Sequence, residues 1–383
     1  MPMPATQQIS LYQQLLNNLE ALQQLAVVTT LADFTALMQQ FLQWPGLTEP
    51  QLLEFLAIQN QQPQLVELNK FSVCWQPYSY QSKQQMLCWM PALEPLSLPF
   101  YADEIAQVRS SLLATLIQPK TALVPLLSQR LLLPEVKPLL LTFHWSRCGS
   151  TLLSGSFARL NTCLVLSESN LLSDILLDGN LAEQRAELFD LALRLQGRFR
   201  FAQQHLILKL NAWDLAHWPL LLALYPTAQV CCVTRQPLAI LTSHQREAGR
   251  HMVVQQPALL PGLELSPDGG IGFLLRFQLA VLSRLAALSQ QLLLSGRCKM
   301  VSYAQLCQAS PQQVAALAGL TLSSQQRQDL LLFRLSDAKQ QGQPYQGVKT
   351  TAEQVFSATE LIWLRHQLTD IELWQQHSDS VPG

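Results

Sequence analysis

The segment Phe143-His144-Trp145-Ser146-Arg147-Cys148-Gly149-Ser150-Thr151-Leu152-Leu153 gathers a forked cation, a glycine and two hydroxyls between positions 147 and 151. It follows an apolar strand-like run, 138–143, and opens a helix-like one. Backbone N–H groups at a helix start have no intrahelical partner and carry the positive end of the helix dipole, so that position suits an anion. Gly149 lets the backbone approach a ligand closely. Ser150 and Thr151 add hydroxyl donors, and Arg147 adds a guanidinium matched to phosphate. The segment is not the nucleoside-triphosphate loop G-x-x-x-x-G-K-[ST]. Ser150 stands where its Lys would be and the first Gly is absent, which disfavours a nucleoside triphosphate enzyme. The plainer reading of the same residues is a strand–turn–helix with a glycine turn and a Ser/Thr cap.

Arg147-Cys148-Gly149-Ser150-Thr151-Leu152 resembles the 5′-phosphosulfate loop, (K/R)-x-G-(S/T)-(S/T), of sulfotransferases that use 3′-phosphoadenosine 5′-phosphosulfate (PAPS). The resemblance implies that Arg147 meets the 5′-phosphate and its bridging oxygen, and that Cys148, Gly149, Ser150, Thr151 and Leu152 line the phosphate. The same family carries a second motif after a later strand: an Arg, a Pro two residues on, and a Ser eight residues after the Arg. Arg235, Pro237 and Ser243 have that spacing. In the family this Arg and Ser hold the 3′-phosphate. Arg235 ends a strand-like run, where open α/β sheets bind ligands, and Pro237 suits a first helical turn. The competing reading pairs Arg235 with Glu247 and leaves Ser243 incidental. A weaker likeness is Val301-Ser302-Tyr303-Ala304-Gln305-Leu306, where the family usually has Tyr-Glu-x-Leu and Ala304 replaces the Glu.

Sulfuryl transfer needs a base for the acceptor and positive charge on the departing phosphate. Many cytosolic members of the family take the base from a His two residues after a strand Lys. Here Lys209-Leu210-Asn211 puts Asn211 at that place, and Asn cannot accept the proton. The tyrosylprotein branch and several carbohydrate sulfotransferases use a Glu after the second strand, and Glu168 stands there, 21 residues after Arg147. The resemblance therefore implies Glu168 as base, with Arg147 and Lys209 on the leaving group. Nearby cations would lower the Glu168 pKa and burial would raise it. A helix-capping or surface role for Glu168, and a solvent-reaching Lys209, are the bland alternatives. His144 and Trp145 are expected in the core, although either could meet a ligand. His205, His217, His244 and His251 show no metal-ligand spacing, and no metal is expected. Lys339, Tyr345 and Lys349 are candidates for a basic loop over the nucleotide.

These residues need a scaffold, and the chain supplies one. From about 137 onwards, strand-like runs at 138–143, 164–166, 206–210, 229–234 and 299–303 alternate with helix-like runs at 151–160, 181–195, 215–224 and 272–294. That alternation predicts an α/β domain, a parallel sheet flanked by helices, over 131–383. Residues 1–130 read differently. Helical spacing over 11–42, 52–58 and 101–117, and short strands at 71–75 and 86–89 joined by a polar loop, predict an N-terminal helical region with a small β-hairpin. The family resemblance covers about 138–320.

Composition fits a globular enzyme. Hydrophobic residues make up 49% and charged residues 13%, and the formal net charge is -1, so no overall field would recruit nucleic acid. Eight Cys without a C-x-x-C pair predict free thiols in a reducing, cytoplasmic setting. Neither a secretory signal nor a membrane span is expected. The sequence thus predicts transfer of a sulfuryl group from PAPS to a hydroxyl or amine acceptor, releasing 3′-phosphoadenosine 5′-phosphate (PAP). The acceptor could be a peptide, sugar, lipid or small metabolite. The rival readings are a phosphotransferase with a degenerate phosphate loop and a non-catalytic nucleotide-binding scaffold.

Overall fold

The computed structural model describes residues 5–253, 260–267, 269–334 and 350–379. Lys339, Tyr345 and Lys349 lie outside them. The chain opens with helices α1 (Ala5–Leu15), α2 (Leu19–Ala26), α3 (Leu31–Phe41), α4 (Glu49–Gln61) and α5 (Leu68–Cys74). Strands β1 (Trp75–Gln81) and β2 (Met86–Pro91) follow, then α6 (Tyr101–Arg109), α7 (Leu112–Leu116) and β3 (Lys120–Ala122). Next come β4 (Pro138–His144), α8 (Ser150–Ala158), β5 (Cys163–Ser167), α9 (Asn170–Leu177), α10 (Arg185–Gln196) and β6 (His205–Lys209). The remaining elements are α11 (Trp218–Leu224), β7 (Gln229–Thr234), α12 (Pro237–Arg246), α13 (Phe273–Leu294), β8 (Lys299–Ser302), α14 (Tyr303–Gln308), α15 (Pro311–Ala316), α16 (Ser324–Arg334) and α17 (Ala358–Asp379).

Contacts group the chain into two compact units. The first holds Met1–Val136 and Ser169–Ala202, and the second holds Lys137–Glu168 and Gln203–Gly383. The segment carrying α9 and α10 therefore belongs to the first unit, whereas the sequence boundary near 130 leaves it with the α/β domain.

In the first unit, β1, β2 and β3 form an antiparallel sheet in that order. The expected first strand at 71–75 is wrong in type. Residues 68–74 are helix α5, and the strand begins at Trp75. Phe71 and Trp75 are four residues apart and their rings stack, with centroids 5.9 Å apart, which is a helical contact rather than an alternating one. The turn of the hairpin is correspondingly short. A buried guanidinium ties this unit together: Arg200 donates to the carbonyls of Ser72, Trp75 and Leu195 at 3.0–3.1 Å.

The second unit is a five-stranded, wholly parallel sheet in the order β5-β6-β4-β7-β8. Helices cover it on two faces. Leu140, Ile207, Cys231 and Val233 point into one cluster with Leu153 and Phe157 of α8, Leu306 of α14 and Val314 of α15. Cys232 points the other way, and its Sγ lies 3.5 Å from Ser289 Oγ of α13. Successive strand residues face opposite sides, so adjacent cysteines serve two separate cores. Burial on both faces explains why the strands read as continuous apolar runs. By length and composition α13 could cross a membrane, and it is mostly buried.

β4 and β7 are neighbours in the sheet, yet the chain leaves them in opposite directions, β4 toward β5 and β7 toward β8. Such a switch point opens a crevice beyond the carboxyl ends of the two strands. The segments beginning at His144 and Arg235 emerge there.

Candidate functional site

Between β4 and α8 the backbone turns through an unusual run of left-handed residues. Ser146 has φ 64°, Arg147 φ 49° and Gly149 φ 86°. Left-handed backbone is cheap for glycine but costs other residues of order 1–3 kcal/mol. Gly149 is also the residue at which Tyr303 closes in: a Cβ there would lie 2.7 Å from Tyr303 Cδ2. Gly149 is the N-cap of α8, and no side chain caps the helix. A Ser/Thr cap, the plainer sequence reading, is therefore not what forms. The first helical N–H groups lie beside the hydroxyls of the buried Ser150 and Thr151, the arrangement by which helix starts can hold an anion.

Glu168 follows the last residue of β5, and it too is left-handed, with φ 57°. Its N–H donates to the carbonyl of Lys209 at 2.8 Å, which continues the β5–β6 pairing by one residue. This turns the carboxylate toward the neighbouring strand. Glu168 Oε1 lies 2.6 Å from Lys209 Nζ and 3.4 Å from His144 Nε2. Lys209 has no exposed surface, so the solvent-reaching alternative does not hold. Its Nζ also donates to Thr151 Oγ1 at 3.3 Å, which ties β6 to the first turn of α8. Burial pushes the Glu168 carboxyl up, but the charge of Lys209 and the hydrogen bond with His144 outweigh it. The carboxyl is held well below the usual carboxylate range.

His144 ends β4 and is buried. Its Nδ1 accepts the Ser146 N–H at 2.9 Å, and its Nε2 lies 2.9 Å from the Leu210 carbonyl. This arrangement is that of a neutral ring with its proton on Nε2. Burial resists charging of the ring, whereas its contacts with Cys148 and the Glu168 carboxylate favour it. A second proton on Nδ1 would displace the Ser146 N–H from the loop. His144, expected mainly as core, is thus the residue that joins the β4–α8 loop to Glu168. A polar residue closing an otherwise apolar strand, directly before the loop, was the signal in the sequence.

Arg235 follows β7 and its Nη1 donates to the Arg147 carbonyl at 3.0 Å. Its guanidinium lies over the Tyr303 ring, 4.7 Å from the centroid. Glu247 pairs with the other arginine: its Oε2 is 2.7 Å from Arg147 Nη2, which also donates to the Glu247 carbonyl at 2.5 Å. The Arg235–Glu247 pairing considered from sequence is not the one that forms. Ser243 lies on α12, which has Pro237 at its start, and is half-buried. Cys148 is fully buried in the core cluster and Leu152 packs against it. They support the loop from beneath, so a direct ligand contact is not expected from either side chain.

Other sequence candidates go elsewhere. Trp145 is buried, donates to Ser289 Oγ at 2.7 Å and stacks on Trp374 at 6.0 Å. Asn211 is buried, and its N–H donates to Asp214 Oδ2 at 2.8 Å, opening a short 3-10 turn. His244 and His251 do not share a helix face, because α12 ends at Arg246. Their rings nevertheless meet edge-on, 5.6 Å apart. Among the described residues no three His, Cys, Asp or Glu side chains are grouped to hold a metal ion.

No protein-family model and no curated protein matches the chain. Among solved structures it is similar to the sulfotransferase STF9 from Mycobacterium avium, at 10% identity and a TM-score of 0.43. The match covers 85% of this chain and 96% of that one.

Proposed function

We propose that the protein is a sulfotransferase that binds PAPS and releases PAP. One observation carries the reading. The two segments that resemble the family's 5′- and 3′-phosphate motifs leave adjacent strands at the switch point of the sheet. There they touch, through Arg235 Nη1 on the Arg147 carbonyl at 3.0 Å. Neighbouring strands bring the two segments together, and one ligand spanning both would meet a guanidinium from each.

The residues fit such a ligand. The uncapped start of α8, with Ser150, Thr151 and Arg147, would hold the 5′-phosphate. Arg235 and Ser243 would hold the 3′-phosphate. Bound PAPS would supply an activated sulfuryl group, transferred as the acceptor oxygen or nitrogen attacks sulfur and the bond to the bridging oxygen breaks. Lys209 is the side chain placed to stabilise that departure, and Glu168 the one placed to take the acceptor's proton. Their ion pair sets the order of events. While Lys209 holds Glu168, the carboxylate is too weak a base at neutral pH. Lys209 must move its charge toward the leaving phosphate before Glu168 can accept the proton.

Glu168 stands in the place used by the tyrosylprotein and carbohydrate branch, which points to a peptide or sugar hydroxyl as acceptor. All eight cysteines are free and seven are buried, which supports a reducing, cytosolic location.

The test is titration calorimetry with PAP, 5′-AMP and ATP with magnesium, repeated on Arg235→Ala. PAP should bind well and 5′-AMP much more weakly, and Arg235→Ala should remove the difference. Loss of one charge-assisted contact costs about 1.5–3 kcal/mol, roughly ten- to a hundredfold in affinity. Equal binding of PAP and 5′-AMP, or preference for ATP with magnesium, would sink the proposal.

A further inference from the structure

The chain that follows α12 is held down by the β4–α8 loop. Arg147 Nη2 reaches Glu247 twice, its carboxylate at 2.7 Å and its carbonyl at 2.5 Å. Beyond Glu247 the chain closes in a short turn, Arg250–Met252, where the Met252 N–H donates to the Gly249 carbonyl at 2.8 Å. Gly249 lies against two histidine rings. Its N–H donates to His244 Nδ1 at 3.1 Å, and a Cβ there would lie 3.0 Å from His251 Cε1 and 3.2 Å from His244 Cε1. Arg250 lies over the Trp213 ring, 5.4 Å from its centroid, and the His251 ring is 5.9 Å from that of Trp213. Residues 247–252 thus form a strap, tied to Arg147 at one end and laid on Trp213 at the other.

What the strap covers borders the proposed chemistry. Trp213 stands four residues after Lys209, in the turn that follows β6. Burial holds the His251 ring neutral, pushed down to about 3, and Glu168 is near enough for its charge to act on that ring. Trp213 Nε1 and His251 Nε2 are closed to water and have no hydrogen-bond partner among the described residues. A buried polar atom left unpaired is costly, and two on neighbouring rings mark groups kept for another conformation in which they find partners. Arg147 is the residue that a 5′-phosphate would claim. A guanidinium meets phosphate by two parallel N–H bonds, which one exposed carboxylate does not match. The Glu247 carboxylate, left beside that phosphate, is then repelled. We propose that residues 247–252 are an autoinhibitory strap: the donor's 5′-phosphate takes Arg147 from Glu247, and the released strap lifts from Trp213 and His251, opening them to the acceptor. The inference rests on the PAPS reading above and adds to it a gate on the acceptor side that the donor works.

Hydrogen–deuterium exchange read by mass spectrometry follows the strap directly, on the unaltered protein with and without PAP. PAP should slow exchange in 147–152 and speed it about three- to tenfold in 247–252. Saturating 5′-AMP should act on the strap in the same way, and adenosine 3′-monophosphate should not, because only a 5′-phosphate reaches Arg147. Glu247→Lys sets two cations against each other. It should speed exchange in 247–252 about two- to fivefold without ligand, and PAP should then add little. A thermal melt confirms that the variant folds, and if it does not, the three nucleotides decide alone. Slower or unchanged exchange in 247–252 while PAP protects 147–152 would overturn the inference and leave the PAPS reading standing. So would an equal effect of adenosine 3′-monophosphate, or an unaltered strap in folded Glu247→Lys. If PAP fails to protect 147–152, the PAPS reading fails and takes this inference with it.

Discussion

Lys209 Nζ lies 2.6 Å from Glu168 Oε1, and Lys209 is wholly buried while Glu168 sits in left-handed backbone. A buried cation with one short contact to a carboxylate depends on that carboxylate. Removing it leaves a charge that water cannot reach.

Glu168→Gln should therefore lower stability by about 3–5 kcal/mol, the usual cost of breaking a buried pair on one side. It should also abolish transfer if Glu168 is the base. Chemical denaturation and an activity assay read the two effects separately. A Lys209→Met, Glu168→Gln double variant should recover much of the stability and none of the activity.

The same pair sets a pH dependence. The folded pKa of Glu168 is depressed, so its contribution to stability is fully present above the unfolded carboxylate pKa. It is lost as pH falls below that value and through the folded one. The thermal midpoint of the unaltered protein should fall from about pH 4.5 downward, and more steeply than that of Glu168→Gln. Parallel curves would show that Lys209 does not hold the carboxylate down.

Gly149→Ala meets two obstacles together, a φ of 86° and the ring of Tyr303 at 2.7 Å. The ring is also under Arg235 and cannot swing away without releasing it. The substitution should cost about 1–3 kcal/mol and weaken PAP at least tenfold in calorimetry. A folded Gly149→Ala protein with unaltered PAP affinity would mean that the loop is not the phosphate site.

Glu247 holds Arg147 by a carboxylate that is itself 79% exposed. Arg147 is only 14% exposed, but water reaches the carboxylate and screens the pair, so it is worth about 1 kcal/mol and the protein should fold without it. A ligand phosphate must compete with it for Arg147, however. Glu247→Gln should therefore tighten PAP about two- to fivefold and leave the melting temperature unchanged. Weaker PAP binding would instead make Glu247 a positive part of the site.

The sequence by itself determined the second unit closely. Continuous apolar runs, a glycine turn and a proline at a helix start are local signals, and each strand of the parallel sheet stands within two residues of where those signals put it. It also offered Arg147, Glu168, Lys209 and Arg235 as candidates for chemistry, through a family resemblance at polar residues that close or follow apolar strands. The first unit was less legible: 68–75 carries aromatics that suit a strand or a helix equally, and the folded chain puts 68–74 in a helix with Phe71 stacked on Trp75. Tertiary structure alone decided the pairings. Sequence spacing offered Glu247 to Arg235, but strand order and the turn after α12 gave it to Arg147. Sequence left Lys209 free to reach solvent, but the β5–β6 register brought Glu168 beside it. It also left His144 mainly to the core and Tyr303 as part of a weak family likeness, and only the meeting of β4, β7 and β8 at one end of the sheet set them against the loops. Ion pairs and ring contacts depend on distances of a few ångströms between strands far apart in the chain, and no local pattern encodes those distances.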